Sequence, residues 1–172
     1  MYGSQTLTDM TLNKDKLLNN ELFKNSKISE SDLNKLEPRS IDLEKGEFLF
    51  HQDEQANSIY LIIDGEINLI KKQGSKRVQS LFSKNSFLGH EEYFLNTKRN
   101  STAVAIKDSY IVELSKENIE TLLSQKNSVL NTIKDSIHAL EMVSTNKLDK
   151  ANHELTDRPE KKKFFFTHGI KN

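Results

Sequence analysis

The chain has 172 residues, with 25 basic and 25 acidic side chains and therefore no formal net charge. This balance argues against a chain-wide nucleic-acid-binding surface, because such surfaces need an excess of Lys and Arg. The chain has no cysteine, which excludes disulfide scaffolds, thiolate metal sites and cysteine nucleophiles. Its apolar runs are a few residues long, far short of the roughly 20 that span a membrane, and the first 20 residues carry no signal-peptide pattern. We therefore expect a cytoplasmic protein.

The N-terminal part of the chain predicts a flexible arm followed by short helices. Residues 1–16 are polar and without periodicity, which is typical of an arm. The next apolar residues recur at helical spacing: Leu17, Leu18, Leu22 and Phe23. A second helix is predicted after Ser29, since a serine followed three residues later by Asp32 is a typical N-cap pattern. Pro38 ends that helix.

Between residues 41 and 114 the apolar period changes to two. Asp64-Gly65 lies between two apolar runs and predicts a hairpin, because glycine adopts a positive φ at little cost. Short strands at near-regular spacing predict a mainly β fold built as a double-sheet barrel. Residues 87–96 interrupt this alternating pattern. Because binding residues often lie on loops that a rigid scaffold positions, we expect a functional site in this segment. The predicted strands are residues 48–50, 59–63, 67–70, 78–82, 102–106 and 110–114.

The helical period returns in residues 115–143, which we call the closing helices. Ser115 can cap the first of them. In the second, apolar residues alternate in steps of three and four, as in the seam of a coiled coil: Leu130, Ile133, Ile137 and Leu140. That seam can bury against the barrel or against a second copy, so residues 127–143 are the predicted homodimer or protein contact. Residues 144–172 are predicted to be a tail, and membrane contact through its Lys-Phe run is not favoured.

Three segments in this order resemble the cyclic-nucleotide-binding domain family, the sensor of catabolite-activator-type regulators and of protein kinase A regulatory subunits. Residues 46–54 resemble "G-x-x-L-F-x-x-G-D", and residues 60–67 resemble "Y-x-I-x-x-G-x-V". Residues 87–103, here called the cassette, match the phosphate-binding cassette "F-F-G-E-x-A-L-L-x-x-x-x-R-x-A-T-x" without gaps. The resemblance covers residues 17–143. It implies a jelly-roll barrel with a short cassette helix, N-terminal helices and C-terminal closing helices.

The resemblance also implies a ligand site in the cassette. Gly89 and Arg99 match the family pattern, and the arginine would bind the cyclic phosphate of the ligand. A guanidinium suits this role because it stays ionised and donates paired hydrogen bonds. Asn100 and Ser101 replace small residues of the pattern and could also donate to phosphate oxygens.

Four further residues depart from the family pattern. His90 stands where the family has a glutamate that accepts from the ribose 2′-hydroxyl, so a charge-assisted hydrogen bond worth about 1.5–3 kcal/mol is lost. Glu91 and Glu92 stand where apolar residues are usual. A small shift of the cassette helix would let Glu91 replace the missing glutamate, but fewer residues would then separate this glutamate from Arg99 than in the family pattern. A carboxylate beside His90 predicts a raised imidazole pKa. Asp53 replaces a glycine, and aspartate tolerates a positive φ better than most residues.

These observations favour a non-catalytic sensor that binds cAMP or cGMP through Arg99 and relays binding to the closing helices, with no metal or cofactor. One alternative is a repurposed domain that binds another ligand or none and acts by protein contacts, since Glu91 or Glu92 would repel a phosphate. Arg99 could also have only a structural role, paired with one of these glutamates.

Two further interpretations are less favoured by the sequence. The cluster His90-Glu91-Glu92 suggests a cupin-like metal enzyme, but it lacks a His-x-His spacing, and no Ser-His-Asp arrangement is legible. A catabolite-activator-type regulator would carry a helix-turn-helix module after the sensor. The residues after position 143 are too few for that module, so DNA binding requires that the chain be a fragment of such a regulator.

Overall fold

A computed structural model of the chain describes residues 14–125 and 128–139. The predicted tail and most of the predicted arm lie outside these residues, as does Leu140 of the predicted seam. Helical structure begins inside the predicted arm, because residues 14–18 already form a helix. The helices are α1 (residues 14–18), α2 (Glu21–Lys24), α3 (Glu30–Leu33), α4 (His90–Phe94), α5 (Lys116–Ser124) and α6 (residues 129–139).

The central part of the chain forms two four-stranded antiparallel sheets. One sheet has the strand order β1-β8-β3-β6 and the other has the order β2-β7-β4-β5. The strands are β1 (Arg39–Leu43), β2 (Phe48–Phe50), β3 (Ile59–Asp64), β4 (Glu66–Gln73), β5 (Lys76–Ser83), β6 (Phe87–Leu88), β7 (Thr102–Ala105) and β8 (Ser109–Leu114). This mainly β, double-sheet arrangement with flanking helices is the predicted jelly-roll fold.

The core lies between the two sheets, because each strand turns one face of its alternating side chains inward. The residues of this core come from both sheets: Leu43, Phe50, Tyr60, Ile62, Ile67, Leu88, Ala103, Ala105 and Ile111. Strand β5 is the exception, since nearly all of its side chains are exposed at the edge of its sheet.

The Asp64-Gly65 hairpin predicted from the sequence is wrong. Strands β3 and β4 flank this turn but belong to different sheets, so the turn is a corner that carries the chain from one sheet to the other. Gly65 has a φ of 91°, and a Cβ there would lie 2.2 Å from Ser109 Oγ. The positive φ and the close approach both require glycine, but neither feature distinguishes a corner from a hairpin.

Local capping explains where the main flanking helices begin. Ser29 and Asp32 form a reciprocal capping box at α3, and Ser115 with Asn118 forms another at α5. Both serines were predicted as caps. Helix α6 begins against the N-terminal helices, where Ser128 Oγ accepts a hydrogen bond of 3.1 Å from the backbone N–H of Lys27.

The chain divides into two compact units, residues 1–136 and residues 137–172. The sheets, α1 to α5 and most of the described part of α6 belong to the first unit. Within residues 14–125 and 128–139, no helix combines the length and the apolar character that a membrane crossing requires.

Candidate functional site

The third residue of the cassette is a glycine that no other residue could replace without strain. Gly89 follows strand β6 and precedes α4, with a φ of 80°. A Cβ at this position would lie 2.5 Å from Nη1 of Arg99. Glycine is therefore required both by the left-handed backbone and by the contact with the arginine. This contact brings together the two residues that match the family pattern.

The backbone of Arg99 is held by the loop after strand β2. The N–H of Arg99 donates to the carbonyl of Glu54 at 2.8 Å, and the N–H of Asp53 donates to the carbonyl of Arg99 at 2.9 Å. Asp53 has a φ of 71°, so it adopts the left-handed conformation that its place in the motif required. This loop fixes the base of the arginine side chain.

The guanidinium of Arg99 is buried and satisfied by backbone carbonyls. Only 2% of the residue is exposed. Nη1 donates to the carbonyl of Gly89 at 2.8 Å, and Nη2 donates to the carbonyl of Ser58 at 2.6 Å. The guanidinium carbon lies 4.4 Å from the ring centroid of Phe50 and 5.4 Å from that of Tyr60. These ring contacts stabilise a cation in a desolvated place.

A carboxylate already lies on this arginine. Glu92 Oε2 is 3.8 Å from Nη1 of Arg99, and Oε1 accepts a hydrogen bond of 3.4 Å from the N–H of Asn100. Glu92 is 7% exposed. The carboxylate therefore bridges the guanidinium and the next backbone N–H of the cassette, and Arg99 has the structural partner that the sequence left as an alternative.

His90 contacts a closing helix. Its Nε2 lies 3.0 Å from Ser136 Oγ in α6, and its ring lies 4.6 Å from that of Phe87. Burial lowers the pKa of His90 to about 4, because the charged imidazolium is poorly solvated there. The prediction of a raised pKa is therefore wrong: His90 is 6% exposed, and the desolvation opposes its protonation.

The pairing of Ser136 with His90 was not predicted, and no sequence signal links residues so far apart. A serine beside an imidazole supplies two of the three members of a catalytic triad. Within the described residues, however, His90 Nδ1 is buried without a hydrogen-bond partner, so no acid orients the ring there. We interpret the pair as a contact between the cassette and α6.

The other predicted site residues follow Arg99 or lie in α4. Ser101 is 3% exposed, and in the described part of the chain its Oγ has no hydrogen-bond partner. Asn100 and Glu91 are half-buried, and the carbonyl of Glu91 accepts from the N–H of Leu95 at 3.0 Å. Of the two glutamates that the sequence offered as structural partners of Arg99, Glu92 is the one that contacts it.

A cavity of about 550 Å³ lies away from these residues and has an acidic lining. Three of its carboxylates have partners: Asp64 pairs with Lys84, Asp108 accepts from the N–H of Lys45, and Glu47 accepts from the N–H of Glu44. Its lining residues are Asp42, Leu43, Glu44, Glu47, Asp64, Asp108, Ser109 and Tyr110. Such a lining repels a phosphate. No group of three His, Asp or Glu side chains suited to a metal ion occurs among the residues described.

The family model described as "Cyclic nucleotide-binding domain" matches residues 40–126. The chain belongs to this family. The matched range includes both sheets apart from the first residue of β1, the whole cassette and helix α5. Within this cyclic-nucleotide-binding domain, Arg99 is the buried arginine of the cassette, and His90 is the first residue of helix α4.

A short stretch of a much longer curated protein is similar to this chain. The lysophospholipase NTE1 of Chaetomium globosum is 24% identical to this chain over 98 residues, which are 56% of this chain and 6% of that protein. The chain therefore spans a small part of the length of this relative.

Solved structures show the same fold at low sequence identity. The regulatory domain of Toxoplasma gondii PKA, co-crystallised with cAMP, has a TM-score of 0.60 at 17% identity, covering 68% of this chain and 45% of that chain. The sensor domain of the transcriptional regulator DNR from Pseudomonas aeruginosa has a TM-score of 0.59 at 19% identity, covering 92% of this chain and all of that one (100%). These two likenesses establish the fold of the cyclic-nucleotide-binding domain.

Proposed function

We propose that this cyclic-nucleotide-binding domain is a non-catalytic regulatory sensor that binds cAMP or cGMP through Arg99. One observation carries the proposal. The buried guanidinium of Arg99 and the N–H of Asn100 jointly hold a carboxylate, that of Glu92. The cassette therefore accommodates an anion at the residue that the family uses for the cyclic phosphate.

The hydrogen-bond donors at Arg99 suit a phosphate better than a carboxylate. The guanidinium is permanently charged and desolvated, and its fork geometry matches phosphate oxygens. Two carbonyls already fix its orientation, so a ligand would lose little entropy in ordering it. Because only 2% of Arg99 is exposed, ligand entry requires side chains of the cassette to move.

The same proposal gives a route from the cassette to the closing helices. His90 is the first residue of α4 and lies 3.0 Å from Ser136 of α6. A ligand that moves α4 would change this contact and thereby the position of α6. The population of each α6 position would then depend on how much more tightly the ligand binds the chain with α6 in one position than in the other. Residues 127–143 would then present the output to a second copy or to another protein. Leu130 supports this role because it is half-exposed between the buried Val129 and Ile133.

A second candidate function is a repurposed domain that binds another ligand or none and acts by protein contacts. Two observations favour it. Glu92 neutralises Arg99 without any ligand, and His90 is buried as a neutral group, so it cannot replace the charge-assisted bond of the family glutamate. That loss corresponds to roughly 10–150-fold in affinity.

The cytoplasmic location also stays a prediction.

Isothermal titration calorimetry with cAMP and with cGMP separates the two candidates. We expect micromolar binding to the wild-type chain, and at least a ten-fold loss in Arg99→Lys because lysine lacks the fork that bonds two oxygens. Arg39→Lys is the matched control, since Arg39 is exposed at the edge of the first sheet and 74% of its side chain is accessible. Absence of heat with either nucleotide, on protein shown to be folded by circular dichroism, would favour the repurposed domain.

A further inference from the structure

We propose that Glu92 is an internal ligand of the cassette: its carboxylate occupies the anion position at Arg99 and Asn100, and a phosphate-bearing ligand must displace it. The inference deepens the proposed function and rests on it, because it names the residue that sets the affinity for the nucleotide. It concerns an acidic side chain at a position where the family pattern has an apolar one.

The two contacts of Glu92 define an anion position. One carboxylate oxygen faces the guanidinium of Arg99 at 3.8 Å, and the other accepts from the N–H of Asn100 at 3.4 Å. A permanently charged fork beside a backbone N–H is a donor set for a phosphate as well as for a carboxylate. The carboxylate of Glu92 and a phosphate cannot accept from these donors at the same time. Each would also repel the other at such short distance.

The Glu92 carboxylate is held loosely, whereas the arginine is held firmly. Charge-assisted N–H···O bonds are usually about 2.7–2.9 Å long, so contacts of 3.8 and 3.4 Å fall well short of that range. The bonds from Arg99 to the carbonyls of Gly89 and Ser58 are 2.8 and 2.6 Å. Displacing Glu92 would therefore leave the arginine in place, oriented for the incoming anion.

Because Glu92 is covalently part of the chain, its carboxylate competes effectively with an anionic ligand despite its loose contacts. Glu92 lies within α4, and its carbonyl accepts from the N–H of Thr97 at 2.9 Å, so its main chain stays beside Arg99. A group held this way has a millimolar or higher effective concentration. It lowers the apparent affinity of any anionic ligand by a constant factor. Removing the carboxylate should therefore tighten binding.

The test compares Glu92→Ala with the wild-type chain in a calorimetric titration with cAMP. We expect Glu92→Ala to bind at least ten-fold more tightly. Glu120→Ala is the matched control and should bind as the wild type does, since Glu120 lies on α5 with 63% of its side chain exposed. Equal affinities of Glu92→Ala and the wild type would overturn the inference and leave cAMP binding intact. If Glu92→Ala does not fold, Glu92→Gln removes the charge while keeping the side-chain volume.

A second readout separates this inference from the proposed function. Inorganic phosphate is titrated while the backbone amide signal of Asn100 is followed by nuclear magnetic resonance. If neither protein binds cAMP but phosphate shifts this signal in Glu92→Ala and not in the wild type, the internal ligand is supported and the cyclic-nucleotide function fails. If Glu92→Ala responds neither to cAMP nor to phosphate, the inference is overturned, because no anion position has been vacated.

Discussion

Arg99 is buried at a tolerable cost because its guanidinium has several partners. A charge removed from water is strongly unfavourable unless it is paired and hydrogen-bonded. Here two carbonyls, two aromatic rings and one carboxylate surround it. The cassette pattern predicted Arg99 as a site residue. The carbonyl of Ser58 and the rings of Phe50 and Tyr60 were not predicted, since only the folded topology brings them to the arginine.

At the residue scale, Gly89→Ala should destabilise the domain and disorder the arginine. The φ of 80° costs a non-glycine residue about 1–2 kcal/mol, and the new Cβ would stand 2.5 Å from Nη1 of Arg99. Gly46→Ala is the control, because Gly46 has a φ of +95° but nothing within 4 Å of its added Cβ. Chemical denaturation should show the larger loss for Gly89→Ala. Equal losses would mean that the contact with Arg99 is unimportant.

His90 should make the domain less stable in mild acid. Its folded pKa is lowered to about 4 from 6.5, so between these values the unfolded chain binds a proton that the folded chain does not. The free energy of unfolding is therefore unaffected by His90 above pH 6.5 and falls as the pH drops toward 4, by up to about 3 kcal/mol.

The measurement for His90 is chemical denaturation at several pH values between 4 and 7. His90→Gln should flatten the decline, because glutamine does not titrate. A decline of the same size in this variant would contradict the assignment to His90. The sequence alone suggested the opposite shift, since it showed the neighbouring Glu91 but not the burial of the imidazole.

At the scale of elements, the predicted helix caps are present, whereas the strands that flank Asp64-Gly65 do not pair as predicted. The capping serines of α3 and α5 were predictable because a cap depends on residues three positions apart. The six predicted strand segments all contain strand residues, whereas β1 and the two-residue β6 were missed. Asp64-Gly65 was misassigned because a corner between sheets and a hairpin use the same positive φ.

The contact between α4 and α6 gives a prediction for the relay. Under the proposed relay, binding of cAMP should change amide hydrogen exchange in residues 129–136, because a displacement of α4 would disturb the 3.0 Å contact between His90 and Ser136. Ser136→Ala should reduce this change while cAMP still binds, since Ser136 does not contact Arg99 through any described hydrogen bond. The same exchange response in Ser136→Ala would show that the coupling runs by another route.

At the scale of the whole molecule, Arg99 lies where the two sheets meet. Phe50 comes from β2 of one sheet, and Tyr60 comes from β3 of the other. The arginine contacts both rings and the carbonyl of Ser58 just before β3. A change at the cassette can therefore reach both sheets. The order of elements predicted this architecture, but the convergence of both sheets on one cation depends on the three-dimensional register.

The most direct test of the account is a crystal structure of the domain grown with cAMP. We predict that the cyclic phosphate accepts hydrogen bonds from the guanidinium of Arg99 and the N–H of Asn100, with the carboxylate of Glu92 turned away from both. The two carbonyl bonds of Arg99 should persist. A structure in which Glu92 keeps its place on Arg99, with cAMP absent or bound elsewhere, would contradict the account.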